Sequence, residues 1–276
     1  MISSKMAAEL RKRGAVISSS FNAENENNKE LTKVSSTIST RKMKSCLVFA
    51  ITIFYLSLFW FVLSSHRQLP SVKKMFESAL NEFSEERARK HLDTITSFGP
   101  RPTGSYACEV QAVEYILAEL QNIKRLTNND LAMDIDIQRP SGSFSLNFLD
   151  SLTSYYHNVT NIAARIGPKK NFPPQHTILV NAHFDSVPGS PGASDDAVSC
   201  ATMLEVLRCL VQSDEGQITH GIIFLFNGAE ENILQASHGF ITQHKWAHTV
   251  KAFVNLEAAG AGEKYNILGR TWSCWA

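Results

Sequence analysis

The chain has 276 residues, 43% of them hydrophobic, with 27 Lys and Arg against 26 Asp and Glu for a formal net charge of +1. That balance, with no basic stripe in the C-terminal two thirds, argues against nucleic acid as a partner. The five cysteines do not read as a disulfide framework. Cys46 falls in an apolar run, and Cys200 and Cys209 lie about 13 Å apart along one predicted helix, too far to bridge. Cys108 and Cys274 read as free thiols, and no Cys-x-x-Cys pair is present for structural zinc.

In chain order, residues 1–44 are rich in Ser, Asn, Lys and Glu without a sustained apolar period, which predicts a disordered tail. Cys46 to Leu63 (CLVFAITIFYLSLFWFVL) carries no charge and spans about 27 Å as a helix, close to the thickness of the endoplasmic reticulum bilayer. Residues 45–64 are therefore expected to cross a membrane and touch lipid through 46–63. A cleaved signal peptide ending near Ser64 is the rival reading, disfavoured by the long preceding tail and the long apolar core. Arg41, Lys42 and Lys44 abut the run on its N-terminal side, so the positive-inside rule puts the N-terminus in the cytosol. Residues 65–83 then form a lumenal stem, and Asn158-Val159-Thr160 is an acceptor for N-glycosylation in the lumen.

Ser84 to Thr96 reads as a charged amphipathic helix stopped at Gly99-Pro100, with Arg101 as a turn residue. Ser105 to Leu126 reads as a second helix burying Ala112, Tyr115, Ile116, Leu117 and Leu120. Leu131 to Arg139 and Phe144 to Leu149 alternate in polarity and predict strands near a sheet edge, and Val159 to Ile166 predicts another. Thr177 to Ala182 (TILVNA), Gly221 to Asn227 (GIIFLFN) and Val250 to Leu256 (VKAFVNL) are short apolar runs, the signature of buried strands. A turn-rich loop, Gly189 to Ser194, precedes Asp195 and Asp196, which open an apolar helix to about Val211.

The chemistry gathers at the ends of these apolar runs. His183 and Asp185 follow the first, Glu230 and Glu231 the second, and Glu257 the third. Open α/β sheets bind ligands at the carboxyl ends of their strands, and zinc takes His, Asp and Glu ligands. Singly, each residue has a plainer reading: Asp195 as a helix cap, Glu230 and Glu231 as acids complementing a helix dipole. Three strands each followed at once by acids or His point instead to one metal crevice. His238, His244 and His248 lie on or after the next helix and read as solvated or capping residues.

The stretches FGPRPTGS (98–105), YHNVTNI (156–162), NAHFDSVP (181–188), GASDDAVSC (192–200), FNGAEE (226–231) and VNLEAAG (254–260) resemble the two-zinc aminopeptidase and glutamate carboxypeptidase family of metallopeptidases. Within it they are most like the membrane-anchored endoplasmic reticulum branch. The likeness covers residues 86 to 263. It implies an α/β domain at 84–263 with a mixed, mostly parallel sheet flanked by helices, incomplete at its C-terminus, followed by an unrelated tail at 264–276. It also implies His183 on one zinc, Asp195 bridging two, Glu231 on the second and Glu257 completing the first. Glu230 would then be the general base, and Asp185 the residue that fixes the tautomer and tilt of His183. A cis peptide between Asp195 and Asp196 is implied as well.

The family's second zinc takes a further histidine downstream of the Glu257 position, and this chain ends at Ala276. The second zinc site is therefore expected to be partial here. The expected reaction is zinc-dependent hydrolysis of peptide bonds in peptide or protein substrates, releasing a terminal residue. Two other uses of the same architecture stay open: a non-catalytic binding or decoy protein, and a single-zinc acyl transferase of the glutaminyl cyclase type. Substrate specificity and oligomeric state are not legible in the sequence.

Overall fold

The computed structural model describes residues 2–67, 72–147, 152–213 and 218–258, which fall into two units, residues 1–68 and 69–276. The first unit is one helix, α1 (Ile2–Arg67). Within it Lys44–Ser65 is 22 residues long with a mean hydropathy of 2.5 and none of it buried, so its length and composition suit a membrane span. In the structure the helix continues back to Ile2, through the stretch for which composition predicts a disordered tail. No proline precedes Pro70 and Gly14 is the sole glycine before it, so nothing in the sequence breaks a helix once the apolar run has nucleated it. Side chains 25–35 are exposed, so local hydrogen bonding rather than packing carries this extension.

The second unit is a layered α/β domain. Its main sheet has the order β1-β4-β6-β5-β7, with β1 Leu131–Gln138, β4 Asn161–Pro168, β5 Thr177–His183, β6 Gly221–Asn227 and β7 Val250–Asn255. β1, β4 and β6 pair antiparallel, whereas β6, β5 and β7 pair parallel, giving a mixed sheet. β6 shows why it is central. Phe224 and Phe226 enter one core with Ile116, Leu120, Met203 and Leu204, while Ile223 and Leu225 enter another with Phe240 and Trp246. Successive side chains of a strand point to opposite faces, so a continuous apolar run needs cover on both sides. Helices α2 (Glu85–Ser97), α3 (Val113–Arg125) and α4 (Val198–Val211) supply the first cover and α5 (Gln235–Gln243) part of the second.

The edge-strand expectation holds for β1 and for the strand at Phe144, which belongs to a sheet of its own. β2 (Gly142–Leu146) leaves the main sheet and pairs with β3 (Leu152–Tyr156) as a separate hairpin. Phe144 and Tyr156 pack there with Val159, Ala229 and Ala236, an apolar anchor on α5 that alternation alone does not distinguish from a place in the main sheet. The expected stretch 264–276, with Cys274, lies outside the described residues.

Ser84 caps α2 by accepting the Arg87 N–H at 3.4 Å, and its own N–H donates to Glu205 of α4 at 2.8 Å. Glu205 is fully buried and pairs with Arg87 at 3.0 Å and Arg208 at 2.7 Å. Burial pushes its pKa up, but Arg208, the Ser84 N–H and Arg87 outweigh that and leave it below the ordinary carboxylate value. Its stabilisation is therefore complete above that ordinary value and is lost as pH falls through the lowered one. Glu205→Ala, which strands two partly buried guanidinium groups, should cost about 3 kcal/mol in urea unfolding at pH 7. The difference from wild type should shrink in acid; an equal difference at both pH values would contradict this account.

Candidate metal centre

Because β5, β6 and β7 run parallel, their carboxyl ends share one edge of the sheet. His183 is the last residue of β5, Glu230 and Glu231 stand just past β6, and Glu257 stands just past β7. The loop after β5 returns Asp195 and Asp196 ahead of α4. These two aspartates do not open the helix, as the pattern suggested. Their φ values are −129° and −133°, outside the helical range, and the peptide between them is cis.

The structure brings the expected residues together around His183. Its Nε2 lies 3.2 Å from Asp195 Oδ1, 3.6 Å from Glu257 Oε1 and 3.8 Å from Glu230 Oε2. Donor atoms of His183, Asp195 and Glu257 all fall within 4.8 Å of one another. His183 is buried, whereas the Asp195 and Glu257 side chains are 53% and 39% exposed, so the cluster is open on one side. Glu231 is outside that three-donor group. Burial and then the Asp195 charge raise its pKa, and a hydrogen bond from the Val187 N–H opposes them. Asp196 turns inward instead: it is fully buried and one carboxylate oxygen accepts the His183 N–H at 3.3 Å.

The other imidazole nitrogen is held from the opposite side. His183 Nδ1 sits 3.1 Å from the Asp185 carbonyl and 3.3 Å from its Oδ1. Both are acceptors, so Nδ1 carries a proton and Nε2 is the nitrogen left to face the acids. Burial disfavours charge on this ring, but the Asp185 and Glu257 hydrogen bonds and the surrounding acids raise its pKa to about 11. Glu257 moves down in turn, chiefly through its bond to His183. Burial, opposed by His183 and aided by Glu257, Asp185 and Glu231, lifts Glu230 to about 7. One ring nitrogen aimed at several carboxylates is a donor set that fits zinc, so the residues present pass the test of chemistry.

Asp185 does more than the sequence suggested. Besides bracing His183, its carboxylate accepts the Glu230 and Glu231 N–H groups at 3.1 Å each and the Thr103 hydroxyl at 3.2 Å. One buried carboxylate thus ties the β5 end to the β6 end. A second link has no counterpart in the sequence reading. Asn227 donates to Asn181 at 2.9 Å, Asn181 to Asn255 at 2.7 Å, and Asn255 to Glu257 at 3.3 Å, a chain of amides across the three strand ends. Its one local signal is an asparagine within or closing each otherwise apolar run.

Of the two readings expected, solvated or capping, His244 takes the second as the C-cap of α5, whereas His238 is half-buried. His244 is 6% exposed, accepts the Trp246 N–H at 3.1 Å and faces Asp136 at 3.0 Å; His238 pairs with Tyr156 at 2.7 Å and stacks on Phe144. Both serve packing between α5 and its neighbours. His248 is exposed. Cys200 donates to the His183 carbonyl at 3.2 Å, and burial raises its thiol pKa well above the usual value.

After Glu231 the chain turns through Ile233 and Leu234, at φ of +64° and +58°. A left-handed conformation costs a residue with a Cβ about 1–2 kcal/mol. Ile233 is 38% exposed, so the packing of a partly covered side chain opposes the relief of strain on truncation. Ile233→Gly should stabilise the domain by at most about 0.5–1 kcal/mol once the greater freedom of unfolded glycine is subtracted, read as a raised urea midpoint. A lowered midpoint would show that the Ile233 side chain outweighs its backbone strain.

An α/β sheet with a histidine and carboxylates converging at its carboxyl edge defines a class of proteins with a donor set suited to a divalent metal. The chain belongs to peptidase family M28, in its endoplasmic reticulum metallopeptidase branch: residues 161–272 match the Peptidase family M28 profile. It is 55% identical over 183 residues to human endoplasmic reticulum metallopeptidase 1, covering 66% of this chain and 20% of that protein. To the mouse protein of the same name it is 48% identical over 229 residues, covering 82% and 25%. The chain thus spans a quarter or less of these relatives' length. The Legionella pneumophila LapA aminopeptidase structure shares the fold at a TM-score of 0.51 and 20% identity, covering 69% of this chain and 49% of that one.

Proposed function

We propose that this chain carries the catalytic centre of a zinc-dependent exopeptidase of aminopeptidase type, anchored in the endoplasmic reticulum membrane by residues 44–65 with its second unit in the lumen. The observation that carries the reading is the convergence of His183, Asp195 and Glu257 within 4.8 Å, with Glu230 beside them. His183, Asp195 and Glu257 would hold one zinc, and Asp195 with Glu231 would contribute to a second. When bound, zinc supplies Lewis acidity toward the substrate carbonyl and toward water.

The chain's own residues supply the rest. His183 would turn Nε2 toward the metal because Asp185 holds the proton on Nδ1, so that the proton zinc displaces is the one on Nε2. Glu230, pushed to about 7, suits a base that takes a proton from water and returns it to the leaving amine near neutral pH. Asp185 holds both elements in register through the Glu230 and Glu231 N–H groups. Asn158, exposed at a positive-φ turn, would carry the glycan.

The test is direct. The full chain, purified in detergent, should bind zinc and release the N-terminal residue of an unblocked peptide, and a chelator or acetylation of the peptide amine should stop release. Absence of bound zinc after incubation with the metal would overturn the reading in favour of a binding protein of the same fold.

A further inference from the structure

We infer that Arg101 is a positioning residue that sets the spacing between the end of β5, which carries His183, and the loop that carries Asp195, by gripping the carbonyls of Phe184 and Pro191 in one guanidinium. The inference rests on the metal-centre reading above and deepens it.

Arg101 is 0% exposed, and a buried cation is costly unless something specific requires it. Its side-chain hydrogen bonds all go to main-chain carbonyls. Nε donates to Phe184 at 2.8 Å, and Nη1 donates to Pro191 at 2.8 Å, Gly99 at 2.9 Å and Ile95 at 3.1 Å. Phe184 stands between His183 and Asp185, and Pro191 heads the short approach to Asp195. One planar group therefore touches the backbone next to the nitrogen donor and the backbone leading to the carboxylate donor. An aliphatic residue would fill the space without joining them, and a lysine has no fork to reach several carbonyls at fixed angles.

The main chain reinforces the grip. The Arg101 N–H donates to Ser186 Oγ at 2.9 Å, the Ser186 N–H returns to the Arg101 carbonyl at 3.0 Å, and Ser186 Oγ donates to the Ser190 carbonyl at 2.8 Å. Gly192 shows how tightly the junction is drawn. At its φ of +55°, an added Cβ would stand 2.5 Å from the Asp195 carbonyl, 2.6 Å from Ser186 Cβ and 3.4 Å from Arg101 Nη2. The guanidinium, Ser186 and the Asp195 backbone thus close around a residue with no side chain. Arg101 Nη2 itself is buried without a partner, which is the cost accepted for this arrangement.

The experiment measures zinc affinity of the full chain in detergent by competition with a chromophoric chelator, together with the cobalt(II) absorption spectrum and thermal unfolding of the metal-free protein. Arg101→Lys and Arg101→Met should weaken zinc binding by about 10- to 100-fold, the range for groups that orient metal ligands, and should alter the cobalt spectrum. Lysine, keeping charge but not the fork, should not restore affinity. Should both variants fail to fold, Ser186→Ala loosens the same junction and should weaken zinc binding at least several-fold. Wild-type affinity and spectrum in a folded variant, with only the metal-free unfolding temperature lowered, would reduce Arg101 to a fold-stabilising residue and overturn the inference alone. A wild-type chain that binds no zinc would overturn the metal-centre reading and the inference with it.

Discussion

Glu230→Gln should cut peptide turnover by about a hundredfold to ten-thousandfold, the usual contribution of a general base, while zinc content stays at the wild-type level. The amide preserves shape and the N–H contact to Asp185, which comes from the Glu230 backbone and survives substitution. What it removes is the capacity to accept a proton. Glu230 is the acid best suited to that task here because burial and its acidic neighbours lift it to about 7, whereas Glu257 is driven the other way by its bond to His183. Turnover within threefold of wild type would mean that another carboxylate takes the proton, and Glu231 would be the next residue to change.

His183→Ala should abolish zinc binding, read as metal content after dialysis. His183 supplies the sole nitrogen of the three-donor group, and the carboxylates left behind would face one another without a cation. The same residue predicts a proton signature. Its acidic surroundings hold the metal-free ring protonated to about pH 11, so zinc must displace that proton. Zinc titration of the wild-type chain at pH 7 should release about one proton per metal, and affinity should weaken as pH falls. Zinc uptake without proton release would place the metal away from Nε2.

Much of the site is legible in local patterns. TILVNA, GIIFLFN and VKAFVNL announce buried strands because a strand covered on both faces has no room for polar alternation. Whatever follows such strands stands at the sheet edge. That rule places His183, Glu230, Glu231 and Glu257, and the structure gathers them, with Asp195, at one edge. Arg101 looks like a turn residue because its partners lie 83 and 90 residues away in sequence, at Phe184 and Pro191. The burial of His244 against Asp136 is hidden for the same reason, the two being 108 residues apart.

By itself the sequence determined that a histidine and several acids stand at the ends of buried strands, since hydrophobic periodicity is a local property written within each segment. Only the tertiary structure decided how those ends are tied together: the Asp185 link between β5 and β6, the asparagine chain to Glu257, the Arg101 grip and the hairpin docked on α5. Each is a hydrogen bond or contact between segments far apart in the chain, and such bonds have no period for a local pattern to reveal.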